Sequence, residues 1–105
     1  MAVDFDNINR VVNSYVGVVR EVLPVDKVML FGSYANGTAT EQSDIDICFF
    51  LKTFGDKRRV DIIKVLLSLT HDFKGIFFEP TVFPVSELDN DNPFVKEILR
   101  TGREL

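Results

Sequence analysis

Residues 31–47 read Phe31-Gly32-Ser33-Tyr34-Ala35-Asn36-Gly37-Thr38-Ala39-Thr40-Glu41-Gln42-Ser43-Asp44-Ile45-Asp46-Ile47. Asp44 and Asp46 stand two apart at the start of a predicted strand, 44–51. Side chains alternate along a strand, so both carboxylates project from one face. Two neighbouring anions repel unless cations lie between them. Such a pair at the head of an apolar strand is costly for folding alone, and a pair of Mg²⁺ ions explains it. Mg²⁺ takes one or two carboxylates and fills its other positions with water and phosphate oxygens.

Upstream, Val28-Met29-Leu30-Phe31 is a short apolar run that reads as a buried strand. Gly32-Ser33 follows it directly. Glycine there lets the backbone come close to a ligand and accepts positive φ. A helix beginning near Ser33 would turn its first amides toward the same turn, an arrangement suited to phosphate. Gly37 adds a second flexible point. Taken singly, Gly32-Ser33 reads first as a tight turn, and Asp44 and Asp46 equally as a solvated strand end or a metal site.

Periodicity supplies the surrounding elements. Phe5, Ile8, Val12, Tyr15, Val19 and Val22 form one helical stripe, widened by Val11 and Val18, in a helix that Pro24 stops. Ile62, Leu66, Leu69 and Phe73 mark a helix over 58–73, with Gly75 just past its end. Residues 76–83 read as a third strand, where Pro80 argues for an edge position. Asn92, Pro93 and Gly102 punctuate a last helix as N-cap, first position and residue beyond the end. The expected fold class is α/β (α+β): a small mixed sheet with helices packed on one face, in a single domain spanning 1–105. If the third strand neighbours the second, Glu79 completes a three-carboxylate cluster with Asp44 and Asp46. Two metal ions held this way clamp the attacking and leaving oxygens of a displacement at phosphorus.

Gly-Ser, ten intervening residues and Asp-x-Asp resemble the signature of the DNA polymerase β-like nucleotidyltransferases, and the chain is most similar to their minimal nucleotidyltransferases. The resemblance covers 28 to about 102 and implies a polymerase β palm-like fold. It implies that Gly32, Ser33 and Asp44 bind the nucleotide. Asp44, Asp46 and Glu79 would be the catalytic residues and the ligands of two Mg²⁺ ions. The family commonly has Asp where this chain has Glu79. The implied reaction moves a nucleoside monophosphate from a triphosphate, with ATP the expected donor, to a hydroxyl, and releases pyrophosphate. Minimal nucleotidyltransferases are often paired with a small helical HEPN-domain protein, and some neutralise that toxin by transferring AMP to its tyrosine. Two alternatives stay open: a non-catalytic antitoxin that sequesters such a toxin, favoured by Glu79-Pro80, and a nucleotidyltransferase acting on a small molecule.

Composition sets the frame. The chain has 105 residues, 46% hydrophobic and 27% charged, with net charge −4. Its basic residues make only short clusters such as Lys57-Arg58-Arg59, which argues against general nucleic-acid binding. Those three read as a solvated loop or as groups facing a triphosphate. His71 has no metal-ligand partner at useful spacing. The single Cys48 reads as a small hydrophobe, and one cysteine with no signal peptide suggests the cytoplasm. No run approaches a membrane span. If the helices cover only the face opposite the carboxylates, Cys48, Phe50 and Phe83 lie bare on the carboxylate side. A HEPN-type partner or a second copy is then expected to cover them.

Overall fold

The computed structural model describes residues 5–39, 44–73 and 75–105. The chain runs α1 (Phe5–Val22), β1 (Val25–Phe31), α2 (Ser33–Asn36), β2 (Ile45–Leu51), α3 (Arg59–Ser68), β3 (Phe78–Pro84), α4 (Pro93–Thr101) and β4 (Arg103–Glu104). Two 3-10 turns, Leu69–Asp72 and Val85–Leu88, follow α3 and β3. One four-stranded sheet has the order β3-β2-β1-β4. β1 is antiparallel to both β2 and β4, while β2 and β3 run parallel on either side of α3. The mixed sheet is thus as expected, and β3 is the edge strand that Pro80 demands.

The larger core lies between the sheet and the pair α1 and α3. From α1 come Ile8, Val12, Tyr15 and Val19, and from α3 Ile62 and Leu66. The stripe of α1 drifts at its end, with Val16 buried and Val22 54% exposed. Burial has to hold this helix, because its many valines lose side-chain freedom in helical backbone. Tyr15 sits at the centre. Its ring stacks on Phe78 at 4.4 Å and meets Phe49 and Phe73 edge-on. Its hydroxyl donates to the Leu66 carbonyl at 2.7 Å, so the buried polar tip is satisfied.

The sheet's other face is where the structure departs from the sequence reading. The expectation of helices on one face holds for α1 and α3 only. α4 lies on the opposite face and buries Val95 and Ile98 against Met29, Cys48, Phe50 and Phe83. Cys48 and Phe50 are wholly buried and Phe83 is nearly so. The apolar carboxylate-side surface is therefore packed internally, and it gives no ground for a covering partner. Asn92 starts α4 as expected, its side chain accepting from the amides of Phe94 and Val95. Gly102 serves close approach: its φ is −83°, and a Cβ there would lie 2.5 Å from the Ile98 carbonyl oxygen and 2.8 Å from that of Leu30. That contact lets the chain leave α4 and pair at once with β1 as β4, a strand too short for periodicity to reveal.

Candidate functional site

The site grows from the cross-strand register. Phe31 on β1 lies opposite Asp46 on β2, and Asp46 lies beside Glu79 on β3. One row across three strands thus carries Phe31, Asp46 and Glu79, and Asp44 precedes β2 on the same face. The Asp46 and Glu79 side chains lie close enough for a hydrogen bond when one of them is protonated. Burial, that bond to Glu79, and the charges of Glu79 and Asp44 push the Asp46 carboxyl up to about 6. The register thus sets Asp46 beside Glu79, with Asp44 two residues earlier at the head of β2. The longer side chain of Glu79 reaches Asp46 from the edge strand.

Gly32 closes the other side of Asp46. Its backbone sits at φ 72°, ψ −151°, a region open essentially to glycine. A Cβ at this position would collide with Asp46 Oδ2 and stand 3.1 Å from Asp46 Cγ. Glycine is thus required twice, by conformation and by the carboxylate packed against it. Ser33 opens α2, whose Tyr34 anchors the short helix in the main core. Gly37 ends α2 in left-handed conformation, φ 81°, with open space around it. Residues 40–43, including Ser43 of the quoted stretch, lie outside the described residues.

The donor set suits a hard cation. Asp44, Asp46 and Glu79 offer carboxylate oxygens, and the missing side chain at Gly32 leaves room for the Asp46 carboxylate beside the turn. Among the described residues no three acid, His or Cys side chains close into a metal cage. Mg²⁺ seldom needs such a cage, since substrate phosphates and water complete its shell.

The basic cluster at the head of α3 divides. Arg58 fits the solvated reading: Asp61 accepts from its backbone amide at 3.0 Å and from its guanidinium at 3.3 Å, and this holds the Asp61 carboxyl below its usual range. Arg59 does not fit it. Its guanidinium donates to Thr81 Oγ1 at 3.0 Å and lies 4.3 Å from the centre of the Phe83 ring. Thr81 and Phe83 alternate with Glu79 along β3, so Arg59 reaches the carboxylate face of the sheet. Cys48, opposite Thr81, senses it: burial pushes the thiol up to about 12, with the Arg59 charge opposing. Phe94, half exposed, also borders this face, 6.1 Å from Phe31 and 5.9 Å from Phe83. The sequence held no sign of either placement beyond a short basic run.

Residues 12–100 match the nucleotidyltransferase domain family. The chain belongs to that family. It is 39% identical over 83 residues to a provisionally named protein adenylyltransferase of Methanocaldococcus jannaschii, covering 74% of this chain and 55% of the relative. A second protein of that organism with the same provisional name is 36% identical over 62 residues, 56% of this chain and 60% of its own length. The chain therefore spans little more than half the length of these curated relatives. A solved structure of a provisionally assigned nucleotidyltransferase from Sulfolobus solfataricus superposes with TM-score 0.61 at 19% identity, over 90% of this chain and 76% of that one. That likeness supports the fold. The family works on nucleoside triphosphates with divalent metal, in keeping with the carboxylate row. No helix among the described residues is long and apolar enough to cross a membrane.

Proposed function

We propose that this domain transfers a nucleoside monophosphate, with ATP as donor, to a protein side-chain hydroxyl. The observation that carries the reading is the row in which Gly32 is packed on Asp46 and Asp46 lies beside Glu79. Asp44, Asp46 and Glu79 would hold Mg²⁺, which when bound polarises the phosphoryl oxygens and offsets charge on the leaving pyrophosphate. Gly32 keeps the turn open beside Asp46, so that the phosphate chain can approach the backbone there. Ser33 contributes a hydroxyl donor at the same turn. Glu79, on the edge strand, accepts the proton of the incoming hydroxyl as its oxygen bonds to the α-phosphorus and the bond to pyrophosphate breaks. Rate enhancement then rests on positioning and on charge placed in advance of the reaction.

A protein acceptor is favoured because both curated relatives carry a protein adenylyltransferase name. The resemblance to minimal nucleotidyltransferases adds a HEPN-domain toxin and its tyrosine as the acceptor, which gives the domain an antitoxin role. An active site is the reading favoured here over an idle, sequestering one, because Pro80 sits on the edge strand and Glu79 lies beside Asp46. The test is label transfer from α-labelled ATP to a co-expressed HEPN-type protein, with wild-type chain and with Asp44→Asn/Asp46→Asn. Transfer should require both aspartates, and transfer by the double variant at the wild-type rate would refute the assignment.

A further inference from the structure

The stretch that builds the site contains no cation. From Val28 to Leu51 there is no Lys or Arg, while Glu41, Asp44 and Asp46 are all acidic. A triphosphate beside these carboxylates and Glu79 gathers more negative charge than Mg²⁺ alone offsets, and a side-chain cation from elsewhere in the chain would reduce the excess. Lys27, opposite Phe50, is engaged by Glu104 at 2.9 Å.

Arg59 occupies the required place. As the first residue of α3 it works against the helix dipole, and it gains nothing from its own helix by being basic. Thr81 and Phe83 fix its guanidinium, and no carboxylate among the described residues forms an ion pair with it. Thr81 lies two residues beyond Glu79, roughly 7 Å along the strand. A phosphoryl group with its hydrogen bonds spans about that distance. The Thr81 contact occupies one of the five guanidinium donors, leaving others for an oxyanion.

We infer that Arg59 is a phosphate-binding residue of this site: its guanidinium, held over Thr81 and Phe83 one row behind Asp46 and Glu79, takes oxygens of the triphosphate chain. The inference rests on the nucleotidyl-transfer reading and adds a side-chain cation to the Mg²⁺ which that reading names. The competing role for Arg59 is packing over Phe83, and two substitutions separate them. Arg59→Met keeps a long side chain over the ring and removes the charge, whereas Arg59→Lys keeps the charge and alters the packing.

The experiment is calorimetric titration of wild-type and variant chains with Mg-ATP and with Mg-tripolyphosphate, which has no nucleoside. Arg59→Met should weaken both ligands by about 10- to 100-fold, the worth of one or two charge-assisted hydrogen bonds. Arg59→Lys should recover most of that loss, and thermal melts should show both variants folded. Wild-type affinity in Arg59→Met, equal loss in the Lys and Met variants, or loss confined to ATP would each overturn the inference. The parent reading fails separately, if wild-type binding is untouched by Asp44→Asn/Asp46→Asn. A wild-type chain that binds neither ligand overturns both.

Discussion

Replacing Gly32 by Ala probes the point where backbone conformation and chemistry meet, and Gly37 supplies its matched control. Both glycines have positive φ, 72° and 81°. At Gly37 the conformation is left-handed helical and a Cβ meets nothing within 4 Å. Gly37→Ala should therefore cost only the conformational penalty, about 1–2 kcal/mol. At Gly32 the combination with ψ −151° falls in a region nearly closed to other residues, at about 1–3 kcal/mol. The new methyl also overlaps Asp46 Oδ2, so the carboxylate or the turn has to move. Adding about 1–2 kcal/mol for that displacement gives a loss of about 2–5 kcal/mol for Gly32→Ala. Urea denaturation reads the two costs. Calorimetry with Mg-ATP reads the site, where Gly32→Ala should abolish measurable binding and Gly37→Ala should leave it within about threefold. The reasoning is refuted if Gly32→Ala is no less stable than Gly37→Ala and binds Mg-ATP like the wild type.

Two further outcomes follow from the packing and the charges. Phe50→Ala should destabilise the domain by about 3–5 kcal/mol, because the ring is wholly buried beneath α4 and stacked at 6.1 Å on Phe83. A change of less than about 1 kcal/mol by urea denaturation would show that α4 does not cover this face. For Asp46 the folded pKa, about 6, lies above the ordinary 3.8, so ionisation opposes folding. Metal-free stability should be fully present below pH 3.8 and decline as pH rises to about 6. The shift corresponds to about 3 kcal/mol, reduced by solvent screening at this partly exposed group to about 1 kcal/mol. Urea midpoints in EDTA between pH 4 and about 7 should fall for the wild type and stay flatter for Asp46→Asn. Equal slopes would refute the carboxylate pairing.

The parts of this structure legible in the sequence are those whose cause is local. Gly32-Ser33 and Asp44-x-Asp46 are close in the chain, and strand alternation alone puts the two aspartates on one face. Pro80 announced an edge strand for the same reason, because a missing amide is a property of one residue. Glu79 needed a register, and the register follows from β2 and β3 pairing in parallel around α3. The side chosen by α4 depends on tertiary packing. Asn92-Pro93 fixed where the helix starts, but only the fit of Val95 and Ile98 over Cys48, Phe50 and Phe83 decides which face it covers. Those buried strand residues were themselves the overlooked sign that a cover existed within the chain. Arg59 was hidden in the same way. Its neighbours in sequence are solvated, and its contacts, Thr81 and Phe83, are 22 and 24 positions away.

The proposed function stands on Asp44, Asp46 and Glu79 forming a metal-dependent triphosphate site beside Gly32. Titration of the chain with ATP in Mg²⁺ and in EDTA, for wild type and Asp44→Asn/Asp46→Asn, tests it most directly. The wild type should bind with Mg²⁺ and bind at least about 100-fold more weakly in EDTA, and the folded double variant should show no measurable binding. ATP binding of equal strength in all four conditions would contradict it.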